Sequence, residues 1–312
     1  MKTSVFCSTF FLRAVLIPLL FCFAHSANAV FIAVSVSAED NFRNLITSNI
    51  EAAVERRGDH IYIDAAAGDF DVQYQQVKSY VDAGADAVII LSAGNPEQNQ
   101  TLFEFAKQVP LVFVNVEPIT DLTKLPENTV YVGSNEEQSG TLEMEELARL
   151  AGYKGNVALL MGEPNHPAAK MRTLDVKNVM AQYPNMTLVK SETANWARNQ
   201  AYKIVSGWIK DNLDFNILVA NNDEMILGGI MALRDAGKNP KDYFTGGIDA
   251  TPDALREMQA GNLDVTVLQD AVMQGTTAVD VAYRLMNGVQ RDKTEWIPFR
   301  LVTPSNLDNF VK

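Results

Sequence analysis

From Val30 onward the sequence alternates short β-rich apolar runs with amphipathic helical stretches, and this alternation limits the possible folds more than any other feature. The runs over 31–36, 86–91 and 111–114 are apolar almost throughout, as in parallel strands buried on both faces. Between 31–36 and the next strand, 60–64, the residues Phe42, Leu45, Ile46, Ile50, Ala53 and Val54 recur at the helical period. Helices over 71–83 and 97–108 complete a first series. A second starts after a strand over 129–132 and a helix over 136–150. It continues with strands over 157–161, 187–191, 217–220 and 243–248, helices lying between them. The tail adds a strand over 263–268, a helix over 273–287 and a strand over 299–302. The pattern predicts two doubly wound α/β halves in tandem. No Pro/Gly/Ser-rich linker, charge run or short repeat separates them, so short hinge strands are expected to join them.

Hydrophobic residues make up 47% of the chain and charged ones 21%, enough for a large core. The formal charge of -12 disfavours nucleic acid and anionic lipid as main partners. Lys2 and Arg13 flank an apolar run, Ala14 to Ala24, that is shorter than the ~20 residues a membrane span needs. Ala27-Asn28-Ala29 follows, the small-x-small pattern of signal-peptidase cleavage. A signal peptide over 1–29 is therefore expected, cleaved after Ala29, with a secreted, soluble mature chain. Phe21 before Cys22 is too large for a lipoprotein site. Cys7 and Cys22, the only thiols, would leave with the leader. That removes disulfides and Cys-based zinc sites from consideration.

In open α/β sheets ligands bind beyond the carboxyl ends of the strands. Residues just past the predicted strands are Asp40 and Phe42, Asn115, His166 with Arg172, Trp196, Asn222, Asp249, and Gln269. Carboxylates, amides, an arginine, a histidine and two aromatics thus converge from both halves. Acids and amides bond hydroxyls, arginine donates to oxygens, and aromatic faces cover the C–H faces of a sugar ring. Plainer roles compete with this one. Asp40 and Asn222 precede helices and suit N-caps; Phe42 lies on an apolar helical stripe, as does Trp208. Arg172 could pair with Asp175 on its own helix. Trp196, in a polar loop, and Asp249, beside a helix start already supplied with Thr251 and Pro252, resist such explanations. There is no Gly-x-Ser-x-Gly elbow, His-Glu-x-x-His pair or phosphate loop. No nucleophile, base and orienting group can be nominated, so no enzymatic activity is expected.

These residues resemble the periplasmic galactose/glucose-binding proteins, among the type I periplasmic sugar-binding proteins of ABC transporters. The matching stretches are Asp40-Asn-Phe42, Val112-Phe-Val-Asn-Val-Glu-Pro118, Tyr131-Val-Gly133, Gly162-Glu-Pro-Asn-His-Pro167 with Arg172, Thr193-Ala-Asn-Trp196, Ala220-Asn-Asn-Asp223, Gly247-Ile-Asp249 and Val267-Leu-Gln-Asp270. The resemblance implies two Rossmann-like domains joined by a three-stranded hinge, with crossings near 133–135, 266–269 and 301–303. The lobes would be 30–134 with 270–300, and 135–269 with 301–312. It implies that Phe42 and Trp196 sandwich a pyranose. Asp40, Asn115, His166, Arg172, Asn222 and Asp249 would bond its hydroxyls and ring oxygen.

Three departures stand out. Ala168 replaces a ligand-bonding Asp two residues after the histidine. Gln269 stands where Asn is frequent, the choice of the related ribose binders. The calcium loop of the best-known members is missing: 150–156 carries no carboxylate, so no metal or other cofactor is expected. The implied function is capture of one hexose-like monosaccharide, galactose, glucose or a relative, by a monomer in the periplasm. Delivery would be to an ABC-type permease or, alternatively, to a chemoreceptor or sensor kinase. Ala168 predicts that galactose and glucose are not the tightest ligands.

Overall fold

The structure is a computed structural model and describes residues 29–311; residues 1–28 of the expected signal peptide, with both cysteines, lie outside the described residues. Two parallel sheets, each covered by helices on both faces, form two lobes. The first series supplies β1 (Phe31–Val36), α1 (Asn41–Glu55), β2 (His60–Ala65), α2 (Phe70–Asp82), β3 (Ala87–Leu91), α3 (Pro96–Leu102), β4 (Leu111–Val114) and β5 (Thr129–Gly133). The second begins with α4 (Ser139–Leu150), β6 (Gly155–Met161), α5 (Pro167–Met180), β7 (Met186–Thr193) and α6 (Arg198–Lys210). It ends with β8 (Ile217–Ala220), α7 (Asp223–Asp235), β9 (Phe244–Gly246), α8 (Pro252–Gln259), β10 (Thr266–Leu268), α9 (Ala271–Met286), β11 (Thr294–Trp296) and β12 (Arg300–Val302).

The first sheet runs β11-β5-β4-β3-β1-β2 and the second β7-β6-β8-β9. In each, the chain starts one strand in from the edge and then reverses, which opens a crevice at the carboxyl ends beside β1 and β6. Apolar side chains line both faces of both sheets. Ile32, Val34, Ile89 and Val112 meet α1 and α9 on one side, while Ala33, Val88, Ile90 and Phe113 meet the α2 side on the other. In the second lobe Leu160, Leu218 and Ala220 pack toward α6 and α7, and Leu159, Ile217 and Val219 toward α4 and α5.

The chain passes between the lobes three times. After β5 it enters α4, which packs on α5. After β10 it returns, because α9 packs on α1 and β4. After β11, which extends the first sheet beside β5, it leaves again, and the final turn packs on α8. The second and third passages pair as antiparallel strands β10 and β12; the first, 134–138, is not a strand.

Several boundaries differ from the sequence expectation. The helix expected from 136 starts at Ser139, because Glu136 is held by Arg172 instead of capping a first turn. The helix expected over 97–108 tightens into a 3-10 segment at Phe103–Lys107. The strands expected over 243–248 and 263–268 shorten to β9 and β10, joined by isolated bridges Gly246 to Val265 and Asp249 to Leu268. Among the described residues no helix is long and apolar enough to cross a membrane.

Candidate functional site

The carboxyl ends of the strands meet across one cavity with about 540 Å³ of empty space, part of it open to solvent. All nine residues singled out in the sequence line it: Asp40, Phe42, Asn115, His166, Arg172, Trp196, Asn222, Asp249 and Gln269. Arg43, Glu136, Ala168 and Glu224 complete the wall. Across the mouth, the Asn41 amide of the first lobe donates to Glu224 of the second at 2.8 Å.

Capping and lining coincide at several positions. Asp40 caps α1 by accepting from the Arg43 N–H at 2.7 Å, and its other oxygen pairs with the Arg43 guanidinium at 2.6 Å. Asn222 caps α7, its Oδ1 accepting from the Met225 N–H at 3.0 Å, which leaves its NH₂ uncommitted. His166 caps α5 by accepting the Ala168 N–H on Nδ1 at 3.2 Å. Burial, then the charges of Arg43 and Arg172, push the His166 pKa down to about 3. The ring is therefore neutral near pH 7, with its proton on Nε2, a donor.

Arg172 is 3% exposed and does not pair with Asp175, whose carboxylate accepts from the Thr141 N–H. Its guanidinium grips Glu136 through Nε and Nη2 at 2.9 and 3.0 Å. Nη1 donates to the Asn221 carbonyl at 2.8 Å and Nη2 to Gln269 Oε1 at 3.3 Å. One side chain thus ties together the first passage, the end of β8 and the end of β10. Glu136 escaped the sequence reading because it lies beyond a crossing rather than after a strand of its own lobe. Glu224 pairs with Arg198 at 2.7 Å. Its position in the first turn of α7 gave no signal beyond ordinary helix charge.

Asp249 is 5% exposed, and Arg172 Nη1, its nearest cation, is 4.0 Å away. Burial raises its carboxyl pKa well above the usual range; Arg172 opposes this, while Asp223, Asp40 and Glu136 add to it. Its backbone sits at φ 130°, and Asn115, Asn195 and Trp196 also have positive φ. Such conformations cost about 1–3 kcal/mol each and persist only where the surroundings enforce them. At Asn115 the enforcement is visible: its carbonyl accepts from the Tyr131 hydroxyl at 2.9 Å, and its amide donates to Gln274 at 3.3 Å. Trp196 packs over Gly162, where a Cβ would lie 2.3 Å from the indole. The ring meets His166 edge-on at 5.2 Å, and the Arg172 guanidinium lies 5.9 Å from its centre. Phe42, on α1, both lines the cavity and packs against the core of its lobe.

Much hydrogen-bonding capacity at this cavity is not spent within the protein. Trp196 Nε1 is buried without a partner, and among the described residues nothing donates to the Asp249 carboxyl at hydrogen-bond distance. Among the described residues there is also no cluster of three or more groups able to hold a metal.

Two doubly wound lobes, three passages and an aromatic, amide and carboxylate-lined cleft between them define a two-lobed solute-binding protein. Residues 32–290 match the periplasmic binding protein domain family. The chain belongs to that family, as a type I periplasmic sugar-binding protein of ABC transporters. A putative rhizopine-binding protein of Rhizobium meliloti is 38% identical over 291 residues, covering 91% of this chain and 94% of the relative. The D-galactose/methyl-galactoside binding periplasmic protein of Haemophilus influenzae is 29% identical, over 88% and 89% of the two chains. A solved ABC transporter solute binding protein from Bacillus halodurans, with bound myo-inositol, superposes with a TM-score of 0.83 at 32% identity, covering 92% of this chain and 98% of that one. Membership places the chain in the periplasm, in a family that binds substrates and does not transform them.

Proposed function

We propose that the cleft captures one neutral ring polyol, with a cyclitol of the inositol type favoured over galactose or glucose, and presents it to an ABC-type permease. The observation that carries this reading is the unspent polar capacity of the second lobe at a cavity that the first lobe completes. It comprises the Asp249 carboxyl, the Asn222 amide, His166 Nε2–H and Trp196 Nε1–H, with Phe42 and Trp196 as apolar faces. Buried polar groups ordinarily find partners, and hydroxyls, which both donate and accept, suit such a mixed set.

One feature disfavours a galactose-type hexopyranose: Ala168 presents a methyl group where the resemblance to galactose/glucose-binding proteins implies a ligand-bonding carboxylate. An unpaired buried hydroxyl costs about 1–3 kcal/mol, roughly ten- to a hundredfold in affinity. The relatives named for rhizopine binding and solved with myo-inositol support the same direction. Signal cleavage after Ala29 and a monomeric state are part of this proposal. Calorimetric titration with inositols, hexoses, pentoses and deoxysugars tests it: myo-inositol or an isomer should bind more tightly than galactose and glucose. Glucose or galactose as the tightest ligand would overturn it.

A further inference from the structure

Asn221 follows the last residue of β8, Ala220, and precedes the cavity residue Asn222. It is fully buried. Its N–H donates to the Leu160 carbonyl at 3.0 Å, the bond that ends the backbone ladder between β8 and β6. In a parallel ladder the next bond would run from the Gly162 N–H to the Asn221 carbonyl. Here the side chain takes that place: Gly162 N–H donates to Asn221 Oδ1 at 3.0 Å. The Asn221 carbonyl is thereby free to accept from Arg172 Nη1 at 2.8 Å.

The same exchange fixes one peptide unit from both ends. The Met161 carbonyl accepts from the N–H of Ala194, two residues before Trp196, at 2.8 Å, and the Gly162 N–H of that unit rests on Asn221. A peptide unit is planar, so holding its carbonyl and its N–H sets its tilt. The Trp196 indole packs on Gly162, with 2.3 Å left to a Cβ built there. Trp196 Nε1 is buried without a hydrogen-bond partner, so packing alone places the ring. The Thr173 hydroxyl of α5 also donates to Asn221 Oδ1, at 3.1 Å.

We infer that Asn221 is a positioning residue of the binding cavity. Its Oδ1 holds the Met161–Gly162 peptide and, through it, the Trp196 face, while its carbonyl orients Arg172. The inference rests on the polyol reading for what Trp196 faces, whereas the place of the indole is independent of any ligand. Asn221 Nδ2 is buried with no partner among the described residues, so the acceptor oxygen carries the side chain's role. Aspartate presents the same oxygen; leucine, of similar shape, presents none.

The test pairs proton NMR with calorimetry against myo-inositol. The Gly162 Hα that a Cβ would replace points at the indole, so its ring-current shift, defined by comparison with Trp196→Phe, reports the ring's place. Asn221→Leu should diminish that shift and weaken myo-inositol binding about tenfold or more; Asn221→Ala serves the same purpose if the leucine variant does not fold. Asn221→Asp should keep the shift and an affinity within about threefold, although a buried carboxylate lowers its urea midpoint. Thr173→Val, which removes the other donor to Oδ1, should resemble the parent in both readouts. A full ring-current shift in Asn221→Leu or Asn221→Ala would overturn the inference. So would an affinity in Asn221→Asp that falls as far as in Asn221→Leu, since binding would then follow stability alone. A parent that binds no polyol would overturn the polyol reading, and the ring-current shifts would still decide the role of Asn221.

Discussion

Arg172→Met removes a guanidinium that joins three segments and keeps a stem of similar length. Arg172 is 3% exposed, and its partner Glu136 retains 16% of its side-chain exposure, so the pair is largely withdrawn from water. Removing one member strands the Glu136 carboxylate and leaves the Asn221 carbonyl and Gln269 Oε1 without their donor. Breaking a buried pair in this way costs about 3–5 kcal/mol, and the residual exposure of Glu136 favours the lower end. In urea unfolding followed by circular dichroism, a loss of about 3 kcal/mol moves the midpoint down by about 1 M. Adding Glu136→Gln removes the stranded charge, so the double variant should recover at least about 1 kcal/mol relative to the sum of the single changes. Arg172→Lys should rescue little, because an ammonium cannot make the two-pronged contact. A loss below about 1 kcal/mol in Arg172→Met, or strict additivity with Glu136→Gln, would refute the role of Arg172 as the node of the first passage.

Gly162→Ala should displace the Trp196 indole, since a Cβ there would lie 2.3 Å from the ring; polyol affinity should fall about tenfold or more, with a changed tryptophan emission, and unchanged binding would contradict the packing. Asp223 is fully buried, with its pKa raised from 3.8 to about 6 chiefly by burial. Its contribution is therefore fully present below about pH 4 and is lost as pH rises through about 6, so Asp223→Asn should gain about 3 kcal/mol relative to the parent between about pH 4 and pH 8 in urea melts. The His166 ring should show the Nε2–H tautomer by nitrogen NMR and remain neutral at pH 5, given a pKa near 3; a midpoint close to the ordinary 6.5 would refute its enclosure.

Sequence pattern predicted the two α/β lobes because buried parallel strands are apolar on both faces, and short, nearly continuous apolar runs such as 86–91 and 111–114 alternate with amphipathic helices. The cavity was legible for a topological reason: residues after strands lie at the carboxyl edge, and Asp40, Asn115, Asn222 and Asp249 all do. What stayed hidden depends on distance in three dimensions. Arg172 and Glu136 are separated by a whole helix and strand, so an Arg172–Asp175 pair one turn apart looked equally good on paper. β11, Thr294–Trp296, is a three-residue edge strand without an apolar run, and only its pairing with β5 defines it. β9 and β10 are shorter than their apolar runs, because their pairing survives only as single bridges, Gly246 to Val265 and Asp249 to Leu268, and composition carries no trace of that.

Small-angle scattering of the protein with and without the tightest-binding polyol tests most directly whether ligand is held jointly by the two lobes. Asp40 and Asn115 line the cavity from one lobe and Asn222 and Asp249 from the other, so under the proposed function the closed arrangement is the one the ligand would stabilise. Saturation should shrink the radius of gyration and shift the population toward the arrangement in which Asn41 reaches Glu224. Superimposable profiles at saturation would contradict the account.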